Sequence, residues 1–446
     1  MSRVAAAIVL ALAAQCALAA DPPAAPAPAL GEAQEPAAAP AAPPAPKASV
    51  DLADIRAFTA VYSLVKQAYV EDVDDHRLMQ SAIRGLLGGL DPHSEYLGKQ
   101  QLADLGEDTS GSYAGLGVEV VQVDGTLRVI APIDGSPAER AGIRAGDTIV
   151  RIDGKPVQAD DVDAAIALLR GKPGSSITLS VLHEKQVSPV DITLKREIIR
   201  VASVRGRLLE PGYAYLRISQ FQAETGTQLR KRLERLVAEN KGALRGVVLD
   251  LRSNPGGLLT SAVEVGDEFL DEGVIVTTRG RVKESEMTFR ATPGDLAGGA
   301  PMVVLIDNGT ASAAEIVAGA LKDHHRALLM GRRSFGKGSV QTVLPLDAEH
   351  AVKLTTARYY TPNGTSIQAA GIEPDIALAD LALSERTTDA TPFGERDLRN
   401  HLKGANEGDG EDRAPANRTL QQDYALAEAL NALKALALRG GRNQGG

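Results

Sequence analysis

The sequence predicts a multidomain α/β protein with a helical N-terminal region, a Gly-punctuated middle domain, a layered α/β core and a helical C-terminal tail. Three observations predict it. From Val201 onward, short apolar runs of buried-strand type alternate with stretches of helical period, a pattern that layers helices on a sheet. Residues 52–105 carry the helical period instead. A length of 446 residues with 44% hydrophobic content is enough for two or three domains and a sizeable core. Aromatic residues are only 3% and Trp is absent, so that core must be built from Leu, Val, Ile and Ala.

The chain opens with Arg3, an uncharged Ala-rich run from Val4, and Ala17-Leu18-Ala19 before Asp21-Pro22, the layout of a secretory signal over residues 1–20. The expected location is therefore the periplasm. An uncleaved run would instead be a membrane tether, since its length reaches the lower limit of a spanning helix. Cys16 is the only Cys and follows Gln15, a poor lipoprotein site; cleavage after Ala19 or Ala20 would remove it. Residues 21–48 are Pro/Ala-rich and read as an extended linker. The net charge of −9 argues against nucleic acid as a partner.

Residues 49–108 form the helical region. Ile55, Phe58, Val61, Tyr62 and Val65 share one face, and Leu78, Ile83, Leu86 and Leu87 follow an acidic break at 71–75. Gly89-Leu-Asp91-Pro-His93-Ser94-Glu95-Tyr-Leu97 closes it, and His93 reads as structural because no second metal-spaced residue accompanies it. Residues 109–200 are a further block. They contain Gly115-Leu116-Gly117-Val118, a long Gly-punctuated run from Ser136 to Gly154, and the segment Asp163 to Arg170.

The core and its cap occupy residues 201–380. Tyr213–Ile218 is a strand; Leu229, Leu233, Leu236 and Val237 mark a helix; residues 247–251 are a second strand. Ser253-Asn-Pro255-Gly256-Gly257 then opens a helix carrying Leu259, Val263 and Phe269, either as a plain tight turn or as a turn that exposes amides at the strand's end. Met302–Ile306 is a buried-type strand, residues 307–310 a turn, and 312–321 a helix with Ser312 at its N-terminus, where free N–H groups favour an anion. Ser312-Ala-Ala-Glu315 is also a capping box, and that window alone leaves both readings open. Gly336-Lys337-Gly338 flanks one Lys with small residues, and Gln341 lies on the strand that leaves it. Residues 381–446 are a tail, polar at first. It ends in an amphipathic helix over 420–438 that needs a partner surface: its own core, a second protomer in a homo-oligomer, or an adaptor protein.

Asn308-Gly-Thr-Ala-Ser312-Ala-Ala-Glu315 followed by Ser334-Phe-Gly-Lys337-Gly-Ser-Val-Gln341 resembles the active-site signature of the carboxyl-terminal processing peptidases. The resemblance covers about residues 50–440; Thr310 and Ala314 stand where that family often has Ser. It implies a crotonase-like α/β catalytic core with a cap, a serine endopeptidase with a Ser–Lys dyad, and no metal or cofactor. Ser312 would be the nucleophile, Lys337 the base and Gln341 its orienting residue. The Gly256-Gly257 turn would supply one oxyanion amide and Ala313 the other. The 109–200 block resembles a PDZ domain, in which Leu116, Gly117 and Val118 would receive a terminal carboxylate and Ile166 and Leu169 would wall the groove. The implied partners are protein substrates with free C-termini, recognised by the PDZ domain and cleaved upstream.

A Lys base must be neutral, and burial between Gly336 and Gly338, away from carboxylates, is the expected means. Gln341 would accept a hydrogen bond from the amine. Three other functions compete with this one. Gly331-x4-Gly336-Lys337-Gly338 nearly spells a phosphate loop but lacks the hydroxyl residue and the following helix. Adjacent His324 and His325 diverge on a helix and do not form a metal motif. A non-catalytic secreted PDZ scaffold or chaperone is the third, set against a full complement of site residues.

Overall fold

Asp51 starts the first described helix by accepting the Ala53 N–H at 2.9 Å, which satisfies one of the amides a helix start leaves free. The computed structural model describes residues 50–123, 126–157, 162–184, 186–379, 381 and 423–442. The expected signal at 1–20, the linker up to 48 and the polar stretch 382–422 lie outside the described residues. The chain divides into two units at Asp74. The first contributes α1 (Leu52–Ala68), in which no residue is buried and whose end is held by Lys66 Nζ donating to the Val73 carbonyl at 2.7 Å. Among the described residues, no helix is long and apolar enough to cross a membrane.

The second unit opens with α2 (Asp75–Gly88), β1 (Glu95–Leu97) and α3 (Lys99–Ser110). A helical period had been expected through 52–105. Residues 95–97 are instead a strand, because Tyr96 and Leu97 bury themselves by pairing with residues 351–353. Next comes β2 (Ser112–Gly115), and then β3 (Val118–Val123), β4 (Thr126–Pro132), α4 (Pro137–Arg140), β5 (Thr148–Ile152), β6 (Lys155–Pro156), α5 (Val162–Leu169), β7 (Ser176–Leu182) and β8 (Val190–Lys195). These strands form one sheet in the order β3-β4-β5-β7-β8, with β6 beside β5, around a core of its own that includes Leu116, Ile149, Leu179 and Leu194. β9 (Glu197–Arg200) returns antiparallel to β2, so the strand that enters this sheet module and the one that leaves it form a two-stranded ribbon.

The layered α/β core follows. It comprises β10 (Val204–Glu210), β11 (Tyr213–Ile218), α6 (Thr225–Asn240), β12 (Gly246–Asp250) and α7 (Leu259–Asp267). After β13 (Val274–Gly280) and β14 (Met287–Arg290) come β15 (Met302–Ile306), α8 (Ala313–Asp323) and β16 (Ala327–Gly331). β17 (Ser339–Pro345), β18 (Ala351–Tyr360), β19 (Ile376–Ala377) and α9 (Tyr424–Arg442) complete the chain. The central sheet runs β10-β11-β12-β15-β16-β19, parallel except where β10 meets β11. β12 and β15 are buried along their whole length, as continuous apolar runs in a covered parallel sheet require. Leu229 and Leu233 of α6, Val265 of α7 and Val317 of α8 pack with one face in the main core.

The other face is covered by α9: Leu426, Ala429, Leu430 and Leu433 cluster with Tyr213, Val248, Val303, Leu305 and Met330. Of the three surfaces open to this helix in the sequence, the chain's own sheet is the one it uses. The described helix begins at 424 rather than 420. A second sheet, β1-β18-β13-β14 with β17 also on β18, is the cap, and it carries residues 339–345 and 351–360.

Candidate active site

The parallel strands β12 and β15 end side by side, and the turns that follow them are laced together. Thr310 Oγ1 donates to the Leu251 carbonyl (2.8 Å) and Ala311 N–H to the Asn254 carbonyl (2.9 Å). Ser312 comes next, as the N-cap of α8, with φ 55° and ψ −117°, a conformation costly for a residue with a Cβ. Its N–H donates to Glu315 Oε2 at 2.8 Å, one half of the capping box. The other half is absent, because Glu315 N–H bonds to the Ser312 carbonyl (2.8 Å) and the Ser312 hydroxyl makes no capping bond. Oγ is left available for chemistry.

Glu315 does more than cap. Fully buried, its Oε1 accepts from Ser334 Oγ (2.5 Å) and Gly336 N (2.7 Å), while Oε2, already bonded to Ser312 N, also accepts from Lys337 N at 2.9 Å. The amides of Ser312 and Lys337 thus meet on one oxygen. Burial lowers the pKa of the Lys337 amine, the charge of Lys353 lowers it further, and Glu315 opposes both. Sequence reasoning had placed Lys337 away from carboxylates. The structure corrects that: a carboxylate lies at its own backbone, and its effect on the amine is outweighed by burial and by the charge of Lys353.

Gln341, on β17, donates its amide N–H groups to Ser339 Oγ (2.9 Å) and Thr355 Oγ1 (3.2 Å). Among the described residues no hydrogen bond joins it to Lys337, nor Lys337 Nζ to Ser312. The expected bond from the amine to Gln341 is therefore not formed here, although both donated bonds leave Oε1, the acceptor, free. Thr355 Oγ1 in turn donates to Asp91 Oδ1 at 3.1 Å, and Ser94 Oγ accepts the Thr355 N–H at 3.1 Å. Burial pushes the Asp91 carboxyl up, but hydrogen bonds from Ser94, His93 and Thr355 outweigh it and hold the pKa below the ordinary value. His93 lies close enough to Lys337 to feel its charge; burial, then Lys337, hold its imidazole pKa down. Tyr359, fully buried, has a hydroxyl with no properly aligned hydrogen-bond partner although it lies near Ser312, and burial followed by the Glu315 charge raises its pKa well above the usual phenol.

Of the two glycines expected at the oxyanion site, Gly256 N–H is committed to Asn254 Oδ1 at 2.9 Å. Gly256 cannot offer that donor; its contribution is closeness, since a Cβ there would come 2.7 Å from the Ser312 Cβ. Gly257 N–H and Ala313 N–H have no partner among the described residues; Ala313 directly follows Ser312, and Gly257 directly follows Gly256, whose backbone approaches both Ser312 and Ala313 N. In the sheet module, Leu116, Gly117, Val118, Ile166 and Leu169 line one groove between edge strand β3 and α5, together with Tyr113 and Arg170. The N–H groups of Leu116 and Gly117 carry no hydrogen bond among the described residues, while the Gly117 carbonyl accepts from Ile133 N at 2.8 Å, which fixes the turn.

Comparison with known proteins bears on this geometry. Residues 212–378 match Peptidase family S41, residues 128–182 a PDZ domain, and residues 31–101 the N-terminal domain of the activating protease CtpB. The carboxy-terminal-processing protease of Bartonella bacilliformis is 44% identical over 383 residues, covering 84% of this chain and 87% of that protein. The chain belongs to peptidase family S41. The carboxy-terminal processing protease CtpA of Bacillus subtilis is 37% identical, covering 71% of this chain and 67% of that protein. A solved photosystem II D1 C-terminal processing protease is 32% identical over 73% of this chain and 88% of its own, with a TM-score of 0.44. This S41 protein is thus a carboxy-terminal processing serine protease with a PDZ domain. Sequence reasoning on it missed the double role of Glu315 and the relay from Asp91 through Thr355 to Gln341. The capping box was the available signal for the first. For the second it was the Asp-Pro-His-Ser phrase, in which only His93 was given a role, a structural one.

Proposed function

We propose that this S41 peptidase is a periplasmic endopeptidase working through a Ser312–Lys337 dyad on protein substrates whose free C-terminal tails enter the PDZ groove. Neutral Lys337 takes the Ser312 Oγ proton as Oγ attacks the scissile carbonyl. The tetrahedral oxyanion is met by the N–H groups of Gly257 and Ala313, and the protonated Lys337 then gives its proton to the leaving amine; water reverses the sequence to release the acyl group. Gln341 Oε1 orients the amine. The observation that carries this reading is that Ser312 N and Lys337 N bond to one Glu315 oxygen, at 2.8 and 2.9 Å, beside a Ser312 hydroxyl that caps nothing. The secretory pattern at residues 1–20 supports the location.

A serine-reactive probe should label Ser312 in the purified protein. New C-termini present in cells with the wild type should vanish with Ser312→Ala. Lys337→Ala and Lys337→Arg should both be nearly inactive though folded, since Arg cannot give up its proton. Wild-type turnover in Lys337→Arg would remove the dyad. Recovery of the mature protein in the periplasmic fraction, beginning near Ala20 or Asp21, tests the location; a cytosolic chain beginning at Met1 would refute it.

A further inference from the structure

We propose that Glu315 is a positioning residue for catalysis, a carboxylate clamp that holds the nucleophile turn and the base-bearing segment in register. The inference rests on the dyad reading and goes beyond it. A helix cap requires only the local bond to Ser312 N. Here three further donors, Ser334 Oγ, Gly336 N and Lys337 N, arrive from a segment 19 to 22 residues later. Each oxygen takes two donors, and only an ionised carboxylate can accept at all four positions; a Gln would turn an NH2 group against two of them. No Lys or Arg side chain forms an ion pair with Glu315 among the described residues. Its charge is compensated by these donors and by the start of α8.

The clamp also places a negative charge within a few bonds of the proposed base. The charged and titratable groups facing Lys337 are Glu315 from α8, Lys353 from β18 and His93 from the segment before β1. Among these, Glu315 alone favours the protonated amine over the neutral one. The site thus accepts an electrostatic penalty on its base in return for fixed geometry. That gives the clamp a signature that simple structural support does not have.

The test is a pH profile of kcat/KM on a peptide substrate for the full chain and its variants. Glu315→Gln should lower kcat by about a hundredfold through misplacement of the reacting groups, with KM little changed. The acid limb of whatever activity remains should move to lower pH, because the charge that holds the Lys337 proton is gone. Glu315→Asp keeps the charge but is too short to span both segments, so its rate should fall while the acid limb stays near the wild-type position. Ser334→Ala removes one of the four donors to Glu315, together with the bond that Ser334 Oγ accepts from Ile372 N at 2.7 Å, and no charge, and should show a smaller rate loss with the limb unmoved. Wild-type kcat in Ser334→Ala overturns the clamp even if Glu315→Gln fails to fold, as does a Glu315→Gln loss that tracks melting temperature with the limb in place. Retained turnover in Ser312→Ala or Lys337→Ala would sink the dyad reading, and the clamp with it. If those two are dead and Glu315→Gln matches the wild type at every pH, the clamp alone falls.

Discussion

Lys337 is held in surroundings that oppose its charge, first by burial and then by Lys353. Its folded pKa lies below the unfolded value of about 10.4, so between the two the unfolded chain binds more protons and stability rises with pH. Below that window the fold bears the full cost of the buried ammonium. Lys337→Met should therefore melt above the wild type at neutral pH, with the difference shrinking as pH approaches about 10. Thermal melts across that range check it; a variant that melts lower throughout would mean the amine stabilises the fold. The same environment predicts that wild-type activity rises through an apparent pKa below that of free Lys. Ser312 illustrates the limit of reading residues locally. Its capping box was legible and half correct, but φ 55° and the close approach of Gly256, 56 residues away in the chain, were not. Nor could composition say which of two adjacent glycines would lose its amide to Asn254.

At the level of elements, the core was legible wherever burial is complete. Met302–Ile306 and Tyr213–Ile218 are strands with the bounds that their apolar runs suggest; the first is buried along its whole length in the parallel sheet, so it has no polar side to blur the pattern. β1 was not, since three residues carry no period and only their pairing with β18 makes them a strand. The Asp91–Thr355–Gln341 relay was invisible for the same reason: its partners lie 264 and 14 positions apart and meet only in the cap. The groove of β3 and α5 was read from motif and turn chemistry, and its free Leu116 and Gly117 amides give a direct prediction. Peptides with a free terminal carboxylate should bind the full-length Ser312→Ala variant, and amidated copies should bind at least tenfold more weakly, the loss of roughly one charge-assisted hydrogen bond. Titration by fluorescence anisotropy would measure it, and equal affinities would exclude those amides as the carboxylate site.

Across the whole molecule, the central sheet is closed on its second face by α9, and that helix is joined to the catalytic turn by charge. Asp423, just before α9, pairs with Arg252 at 2.8 Å, and Arg252 pairs with buried Asp250 at 2.7 Å, at the end of β12. Leu430 is 3% exposed in this layer, so Leu430→Ala should cost about 2–5 kcal/mol, the range for an emptied core leucine. Denaturant titration tests this; a loss under about 0.5 kcal/mol would mean that the helix is not part of the cooperative core. The ribbon of β2 and β9 has a different consequence. Ser112 pairs with Arg200 and Gly115 with Glu197, so the two ends of the PDZ domain lie one strand spacing apart. To the catalytic layer, that domain is equivalent to the turn of a hairpin, and closing a longer loop costs a chain little. Residues 116–196 could be exchanged for an Asn-Gly turn, or for an unrelated recognition module, without re-threading a single strand of the core. The architecture thus has a built-in splice point, at which what the protease recognises can change independently of how it cuts.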